Sequence, residues 1–145
     1  MHKKRSTADL VPYKCSKDPL RGTQLKVILP QARKIFRSLE KRTKRKPYIR
    51  SRYFNKDKIF FDYFWSDLKK KIPSERARRL KLLPCALEVL RYSRHEPLTI
   101  DDMQDSHLLR HRFAGRTQNG LLFYVQVKQN KRTGTKQFLS VFPSR

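Results

Sequence analysis

Hydrophobic and polar positions alternate along residues 109–142 in a pattern that is typical of β-strands. The pair Asn119-Gly120 separates the first two strand-like runs, and a turn containing Gly134 precedes the third. Asn-Gly between such runs indicates a tight hairpin, because a type I′ turn needs positive φ at both central residues. We therefore predict three antiparallel strands over residues 111–117, 121–128 and 137–142.

A two-residue turn at Asn119-Gly120 would also set the register of the first two strands. Counting back from this turn, His111 would face Lys128 and Phe113 would face Gln126. Side chains alternate between the two faces of a strand, so this register also decides which residues share a face. The core face would carry Ala114, Phe123, Val125 and Val127. The opposite face would carry His111, Tyr124, Gln126, Lys128 and Ser140. This second face combines an imidazole, a cation and hydroxyl groups, so we interpret it as a candidate site for phosphate chemistry.

The earlier part of the chain has helical periodicity. Apolar residues recur every three or four positions over residues 23–46, which predicts an amphipathic helix that becomes regular near Pro30. Residues 55–71 predict a second, largely buried helix with Asn55 as its N-cap. Residues 73–92 predict a third helical region that restarts at Pro84, and Thr99-Ile100 predicts a short edge strand.

These elements predict an α+β fold, with N-terminal helices packed on a small C-terminal antiparallel β-sheet. We divide the chain into a flexible basic arm (residues 1–22), a basic, aromatic-rich helical region (residues 23–72) and a helix-plus-sheet domain (residues 73–145). Its 145 residues are enough for one domain with a modest core.

Charge indicates the class of partner. The chain has 36 Lys and Arg against 12 Asp and Glu, a formal net charge of +24. Polyanions are the usual partners of such a chain, and nucleic acid is the first candidate. No apolar run is long enough to span a membrane and the basic N-terminus has no secretory core segment, so we expect a cytoplasmic protein without a membrane partner. Cys15 and Cys85 suggest neither a disulfide framework nor a zinc module.

Several basic and aromatic residues are candidates for nucleic-acid binding. The run of cations at the end of the first helix exceeds what favourable capping of a C-terminus requires, so a phosphate-binding patch is favoured over a solvated helix end. The segment 48–54 interleaves aromatic and Arg residues, as a base-stacking surface or an ordinary packed linker would. The candidates are Lys41, Arg42, Lys44, Arg45, Lys46, Arg50, Arg52, Arg116, Tyr124, Lys131, Arg132 and Lys136.

Residues 108–145 contain no Asp or Glu. Mg²⁺-dependent nucleases hold their metals with carboxylates, so cleavage by the predicted sheet would proceed without a metal. His107 and His111 are four residues apart but have no suitable third ligand, and the adjacent arginines oppose a cation. We therefore predict neither a metal site nor a cofactor.

The C-terminal half resembles a known family. The resemblance covers about residues 74–143: a long helix, a proline-containing polar linker, a strand that begins His111-Arg112-Phe113, and a last strand with Ser140 in an SVFP segment. These features are similar to phage and mobile-element nuclease domains of the barnase–EndoU–colicin E5/D–RelE superfamily. The resemblance implies a small antiparallel sheet that cleaves RNA without metal. Its implied catalytic residues are His111 as general acid or base, Arg112 or Lys128 as the phosphate-holding cation, and Ser140 as a hydrogen-bond donor.

Two classes of function remain open. The first is a metal-independent ribonuclease that forms a 2′,3′-cyclic phosphate, with the role of a toxin or mobile-element effector and an acidic inhibitor or antitoxin as its expected partner. Histidine can move protons near neutral pH, and lysine or arginine can stabilise the developing charge. The second is a non-catalytic nucleic-acid-binding protein that uses the same basic surface. His111→Ala distinguishes the two classes. A nuclease would lose activity and keep its binding, whereas a binding protein would lose little affinity, since a neutral imidazole adds little to phosphate affinity.

Overall fold

The computed structural model describes residues 5–43 and 46–144. The predicted phosphate ligands Lys44 and Arg45 lie outside the described residues. The helices are a 3₁₀ turn at Thr7–Asp9, α1 (Leu25–Arg42), α2 (Asp62–Leu68), α3 (Pro73–Leu80) and α4 (Leu83–Tyr92). The strands are β1 (Tyr13–Lys14), β2 (Tyr48–Ser51), β3 (Asp57–Phe60), β4 (Leu98–Asp101), β5 (Leu108–Arg116), β6 (Leu122–Asn130) and β7 (Lys136–Pro143).

The seven strands of the described chain form one mixed sheet, so the prediction of a small antiparallel C-terminal sheet is wrong. The path is β1-β5-β6-β7-β3-β2, and β4 also pairs with β5. Two pairs, β1 with β5 and β3 with β7, are parallel. The sheet is larger than predicted because strands from residues 13–60 add to both of its edges. The predicted edge strand at Thr99-Ile100 is present as β4.

The β2–β3 hairpin replaces the first part of the predicted second helix. Asn55 has φ +56° and Lys56 has φ +67°, so Asn55 lies in a left-handed turn and does not cap a helix. Asparagine tolerates this conformation better than most residues, which favours a turn at this point. Ile49 and Ile59 pair across the hairpin and are both buried. Only residues 62–68 of the predicted helix are helical.

The β5–β6 register differs by one residue from the prediction. The backbone N–H of Thr117 donates to Leu121 O at 2.9 Å, and Leu121 N–H donates to Thr117 Oγ1 at 2.9 Å. Within this wider turn, Gly120 alone has a positive φ, +92°. The loop therefore has three residues between Thr117 and Leu121, and His111 pairs with Val127. A one-residue shift of this kind changes which face of the sheet each side chain joins.

The inner face of the sheet forms the core with the helices. It carries His111, Phe113 and Gly115 of β5, Phe123, Val125 and Val127 of β6, and Phe138 and Val141 of β7. A Cβ atom at Gly115 would lie 2.8 Å from Val89 Cγ2 of α4 and would also overlap the Phe123 ring. Glycine at this position therefore lets α4 approach the sheet closely, and this close packing reinforces the observed register.

The N-terminal segment, predicted as a flexible basic arm, is bound to this core where the structure describes it. The backbone N–H of Cys15 donates to Arg116 O at 2.9 Å, next to the short parallel strand β1. Glu88 of α4 accepts hydrogen bonds from the backbone N–H groups of Ser16 and Lys17, the shortest at 2.8 Å each. Burial alone would raise the pKa of the Glu88 carboxyl, but these hydrogen bonds hold it below its ordinary value.

Candidate nucleic-acid interface

His111 lies on the inner face of the sheet, away from the other predicted catalytic residues. Its side chain is only 5% exposed and packs edge-on against the Phe54 ring, with 5.0 Å between ring centroids. Nδ1 is 2.8 Å from Thr99 Oγ1, and Nε2 is 2.7 Å from Gln129 Oε1. Because an amide oxygen can only accept, Nε2 carries the proton and Nδ1 accepts from the Thr99 hydroxyl. Both ring nitrogens are therefore occupied within the fold.

The surroundings of His111 favour its neutral form. Burial is the main cause that lowers the pKa of His111 from its ordinary value of 6.5, and the nearby Lys136 ammonium lowers it further. The hydrogen bond with Gln129 acts in the opposite direction but does not reverse the shift. Lys136 itself is buried and pairs with Asp57, with Nζ 2.6 Å from Oδ2. This part of the inner face is thus an internally satisfied polar cluster.

The opposite, outer face has Arg112 at its centre. Its Nε and Nη2 donate to Gln126 Oε1 at 3.3 and 3.0 Å, and its Nη1 donates to Thr7 Oγ1 at 3.2 Å. Gln126 Nε2 in turn donates to Ser140 Oγ at 3.0 Å. A guanidinium group has five N–H donors, and only three hydrogen bonds from Arg112 are present among the described residues. Two donors therefore remain for a ligand oxygen.

Two aromatic rings flank this guanidinium. The Arg112 Cζ atom lies 5.9 Å from the Tyr124 ring centroid and 5.5 Å from the Phe142 ring centroid. The Cζ atom of Arg79 on α3 also lies near this ring, 5.8 Å from the Phe142 ring centroid. The rings and Arg112 are partly exposed, whereas Gln126 and Ser140 are buried beneath them. We call Arg112, Tyr124, Gln126, Ser140 and Phe142 the outer-face cluster.

Lys128 extends the outer face toward the β6–β7 turn. Its Nζ lies 3.4 Å from the centroid of the Tyr63 ring on α2. Burial lowers the pKa of Lys128, although carboxylates, first Asp67 and Asp102, act to raise it. A cavity of about 280 Å³ opens beside Lys128, and Thr133 and Thr135 supply hydroxyl groups to its wall. A lysine with a lowered pKa can hold a phosphate or, in its neutral form, accept a proton.

The remaining predicted binding residues lie in several separate places. Lys131 pairs with Asp101, with Nζ 2.7 Å from Oδ1, and Arg116 donates to Gly120 O at 3.0 Å. Arg50 donates to Lys56 O at 3.0 Å beside the Tyr48 ring. The residues that are simply exposed are Lys41, Arg42, Lys46, Arg52 and Arg132. Arg42 and Arg50 line one cavity, and Lys41 and Arg42 line a neighbouring one. The described members of the predicted set therefore include one group around Arg42, while the others line neither of these cavities.

Sequence reasoning missed Phe142, Arg79 and Tyr63 as neighbours of the outer-face residues. Phe142 could have been found, because it is two residues from Ser140 and strand residues two apart share a face. Arg79 and Tyr63 lie on helices that pack against the sheet from a distance in sequence. No local pattern in their segments indicates which face of the sheet they approach.

Comparisons with known proteins give no relative for this chain. No protein-family model, curated protein or solved structure matches it. Within the described residues, no helix has the length and apolar character that crossing a lipid bilayer requires. The same residues contain no group of three or more His, Cys, Asp or Glu side chains placed to hold a metal ion.

Proposed function

We propose that the protein binds single-stranded RNA across its outer-face cluster. The observation that carries the proposal is the position of Arg112, which is fixed by Gln126 between two partly exposed rings. Single-stranded nucleic acids are commonly bound by aromatic side chains that stack with bases and by cations that contact phosphates. A net charge of +24 adds a long-range attraction for any such polyanion.

The expected contacts follow from the chemistry of each side chain. The two remaining N–H donors of Arg112 would bind one phosphate, as guanidinium groups do in a forked geometry. Tyr124 or Phe142 would stack with a neighbouring base. The family resemblance favours RNA over DNA, and a 2′-hydroxyl would hydrogen-bond to the hydroxyl of the partly exposed Tyr124.

Binding of a labelled single-stranded oligoribonucleotide tests the proposal through two substitutions and one control. Arg112→Gln should weaken binding by about tenfold and reduce the slope of log affinity against log salt by about one unit. Tyr124→Leu should weaken binding by a similar amount without changing the salt slope, because it removes stacking and not charge. Arg33→Gln is the matched control, since Arg33 is exposed on α1 and the substitution removes the same charge. Equal, small effects of all three substitutions on RNA affinity would contradict the proposal. An oligodeoxyribonucleotide of the same sequence tests the preference for RNA.

A metal-independent ribonuclease is the second candidate, favoured by the lowered pKa of Lys128 on the same face as Arg112 and Ser140. Neutral Lys128 would take the proton from a 2′-hydroxyl, which then attacks the adjacent phosphorus atom. Arg112 would stabilise the crowded phosphorane, and the 5′-oxygen would leave with a proton from solvent. The products would be a 2′,3′-cyclic phosphate and a 5′-hydroxyl.

Incubation of labelled RNA with the protein in EDTA tests this candidate. Lys128→Arg keeps the positive charge but replaces the base with a group that does not deprotonate in proteins. It should therefore abolish cleavage while RNA binding remains. His111→Ala is the comparison variant and should retain cleavage wherever the protein is folded. Loss of cleavage in folded His111→Ala, with full cleavage by Lys128→Arg, would contradict the role of Lys128.

A further inference from the structure

A second basic surface lies away from the outer-face cluster, between α1, α4 and β2. Three neighbouring cavities of about 470, 390 and 480 Å³ open along it. All three are lined by Arg42, and the first two also share Arg91 and Tyr92. The shared residues make the cavities one groove, which we call the α1–α4 groove. None of its residues belongs to the outer-face cluster.

Positive charge dominates the wall of this groove. Lys17, Lys34, Arg42 and Arg91 line the cavity of about 470 Å³. Among the described residues that line this cavity, Glu88 is the single acid. The Glu88 oxygens already accept from Ser16 N–H, Ser16 Oγ and Lys17 N–H at 2.8–3.1 Å, and the side chain is 5% exposed. Glu88 is therefore engaged in holding the N-terminal segment, and no salt bridge among the described residues joins it to a cation of the groove.

The floor of the groove has the opposite character. Ile35, Leu39, Pro84 and Leu87 supply aliphatic surface to the same cavity of about 470 Å³. Tyr92 stands at the junction of the first two cavities and is 54% exposed, which is unusual for a large aromatic side chain at the end of a buried helix. A cavity of this size is within the range of small-ligand pockets, which are mostly apolar with a few polar groups that orient the ligand.

We propose that the α1–α4 groove is a second ligand site that takes a phosphorylated nucleoside. The flat base would lie on the aliphatic floor against the Tyr92 ring, and the phosphate would bind Arg42, Arg91 and Lys34. Neither half of the site alone explains the arrangement: a bare anion would not use the apolar floor, and an apolar ligand would not use the cations. The phosphorylated nucleoside can be a free nucleotide or the 5′-phosphorylated end of an RNA chain.

Isothermal titration of the 145-residue chain with adenosine 5′-monophosphate tests this site. Adenosine and inorganic phosphate are the two half-ligands, and each should bind at least about tenfold more weakly than the nucleotide, because each lacks one set of contacts. Arg91→Gln should weaken nucleotide binding by about tenfold, and Tyr92→Leu should weaken it by a similar factor. Arg94→Gln, which removes an exposed arginine that does not line the groove, should leave it unchanged.

Competition distinguishes the two sources of the ligand. A short oligoribonucleotide with a 5′-phosphate that displaces the nucleotide, while its 5′-hydroxyl counterpart does not, assigns the groove to an RNA end. Failure of both to displace it assigns the groove to a free nucleotide. Two results would overturn the proposal: inorganic phosphate that binds as tightly as the nucleotide, or nucleotide binding that is lost in Arg112→Gln and kept in Arg91→Gln. The Arg112→Gln variant also separates the two sites, because it should weaken RNA binding at the outer face and leave nucleotide binding in the groove unchanged. Failure of the outer face to bind RNA would therefore not contradict the groove proposal.

Discussion

His111 and Arg112 are adjacent in the chain but lie in opposite environments. On the inner face, both ring nitrogens of His111 are hydrogen-bonded and its side chain is buried. On the outer face, Arg112 lies between two partly exposed rings, and two of its five N–H donors have no hydrogen-bond partner among the described residues. Strand geometry alone separates the two residues, since consecutive side chains point to opposite faces. The inner face therefore stabilises the fold, and the outer face is the one available to a ligand.

The register of β5 against β6 is the feature on which this comparison depends most. Gly115→Ala should lower the free energy of unfolding by about 2–3 kcal/mol, because the added Cβ would overlap Phe123 and approach Val89 Cγ2 at 2.8 Å. Chemical denaturation measures the loss. The double variant Gly115→Ala/Phe123→Leu is the control: removing ring atoms should recover part of the loss, and strictly additive losses would contradict the observed packing.

The inner face should respond to loss of His111 in stability and not in RNA affinity. His111→Ala removes two hydrogen bonds and leaves a cavity beside Phe54, so we expect a loss of about 2 kcal/mol in the free energy of unfolding. RNA affinity of the folded fraction should stay within about twofold of the wild-type value. His107→Ala changes an exposed histidine and is the matched control for both measurements. A large drop in affinity with unchanged stability would reverse the roles of the two faces.

The outer face depends on Gln126 to hold Arg112. Gln126→Leu keeps the side-chain volume but removes the oxygen that accepts two hydrogen bonds from Arg112. RNA affinity should fall by about fivefold, since the guanidinium loses its fixed position. Ser140→Ala removes only the far end of the same hydrogen-bonded chain and should have a smaller effect. If Ser140→Ala weakens binding more than Gln126→Leu does, Ser140 contacts the RNA itself.

The smallest expected effect is a pH dependence of stability. Burial holds the folded-state pKa of His111 below 6.5, so below that pH the unfolded chain takes up a proton that the folded protein excludes. His111 thus contributes stability that is fully present above pH 6.5 and is lost as pH falls toward the folded-state pKa. His111→Gln should flatten the dependence between about pH 7 and 5 by removing that titration, whereas His107→Gln should not. Thermal unfolding across this range measures both, and an unchanged pH dependence in His111→Gln would contradict the burial argument.

Local patterns predicted some parts of the fold and not others. The three C-terminal strands follow from the alternation of hydrophobic and polar positions. The restart of a helix follows from Pro84, and the edge strand at Thr99 follows from the polar linker around it. The β2–β3 hairpin was missed because an apolar, aromatic run such as residues 59–65 fits a helix or a strand by its periodicity. Its strand character depends on pairing with β7, a contact that is remote in sequence.

The candidate site was predicted less well for a related reason. Arg112, Lys128 and Ser140 do share a face, but His111 was placed with them by a turn one residue too short. Asn119-Gly120 can make either a two-residue turn or, with Gly120 alone at positive φ, a three-residue turn with a bulge. Contacts at Gly115 and between Thr117 and Leu121 favour the second, and they become visible only in three dimensions.

Nuclear magnetic resonance of the two adjacent side chains tests the central claim most directly. The Nε–H signal of Arg112 and the ring signals of His111 can be followed in one labelled sample as a single-stranded oligoribonucleotide is added. Binding across the outer face predicts a saturable shift of the Arg112 signal, with the His111 ring signals unchanged and its Nε2 proton still bonded to Gln129. A saturable shift of the His111 ring with an unchanged Arg112 signal would contradict this account of the two faces.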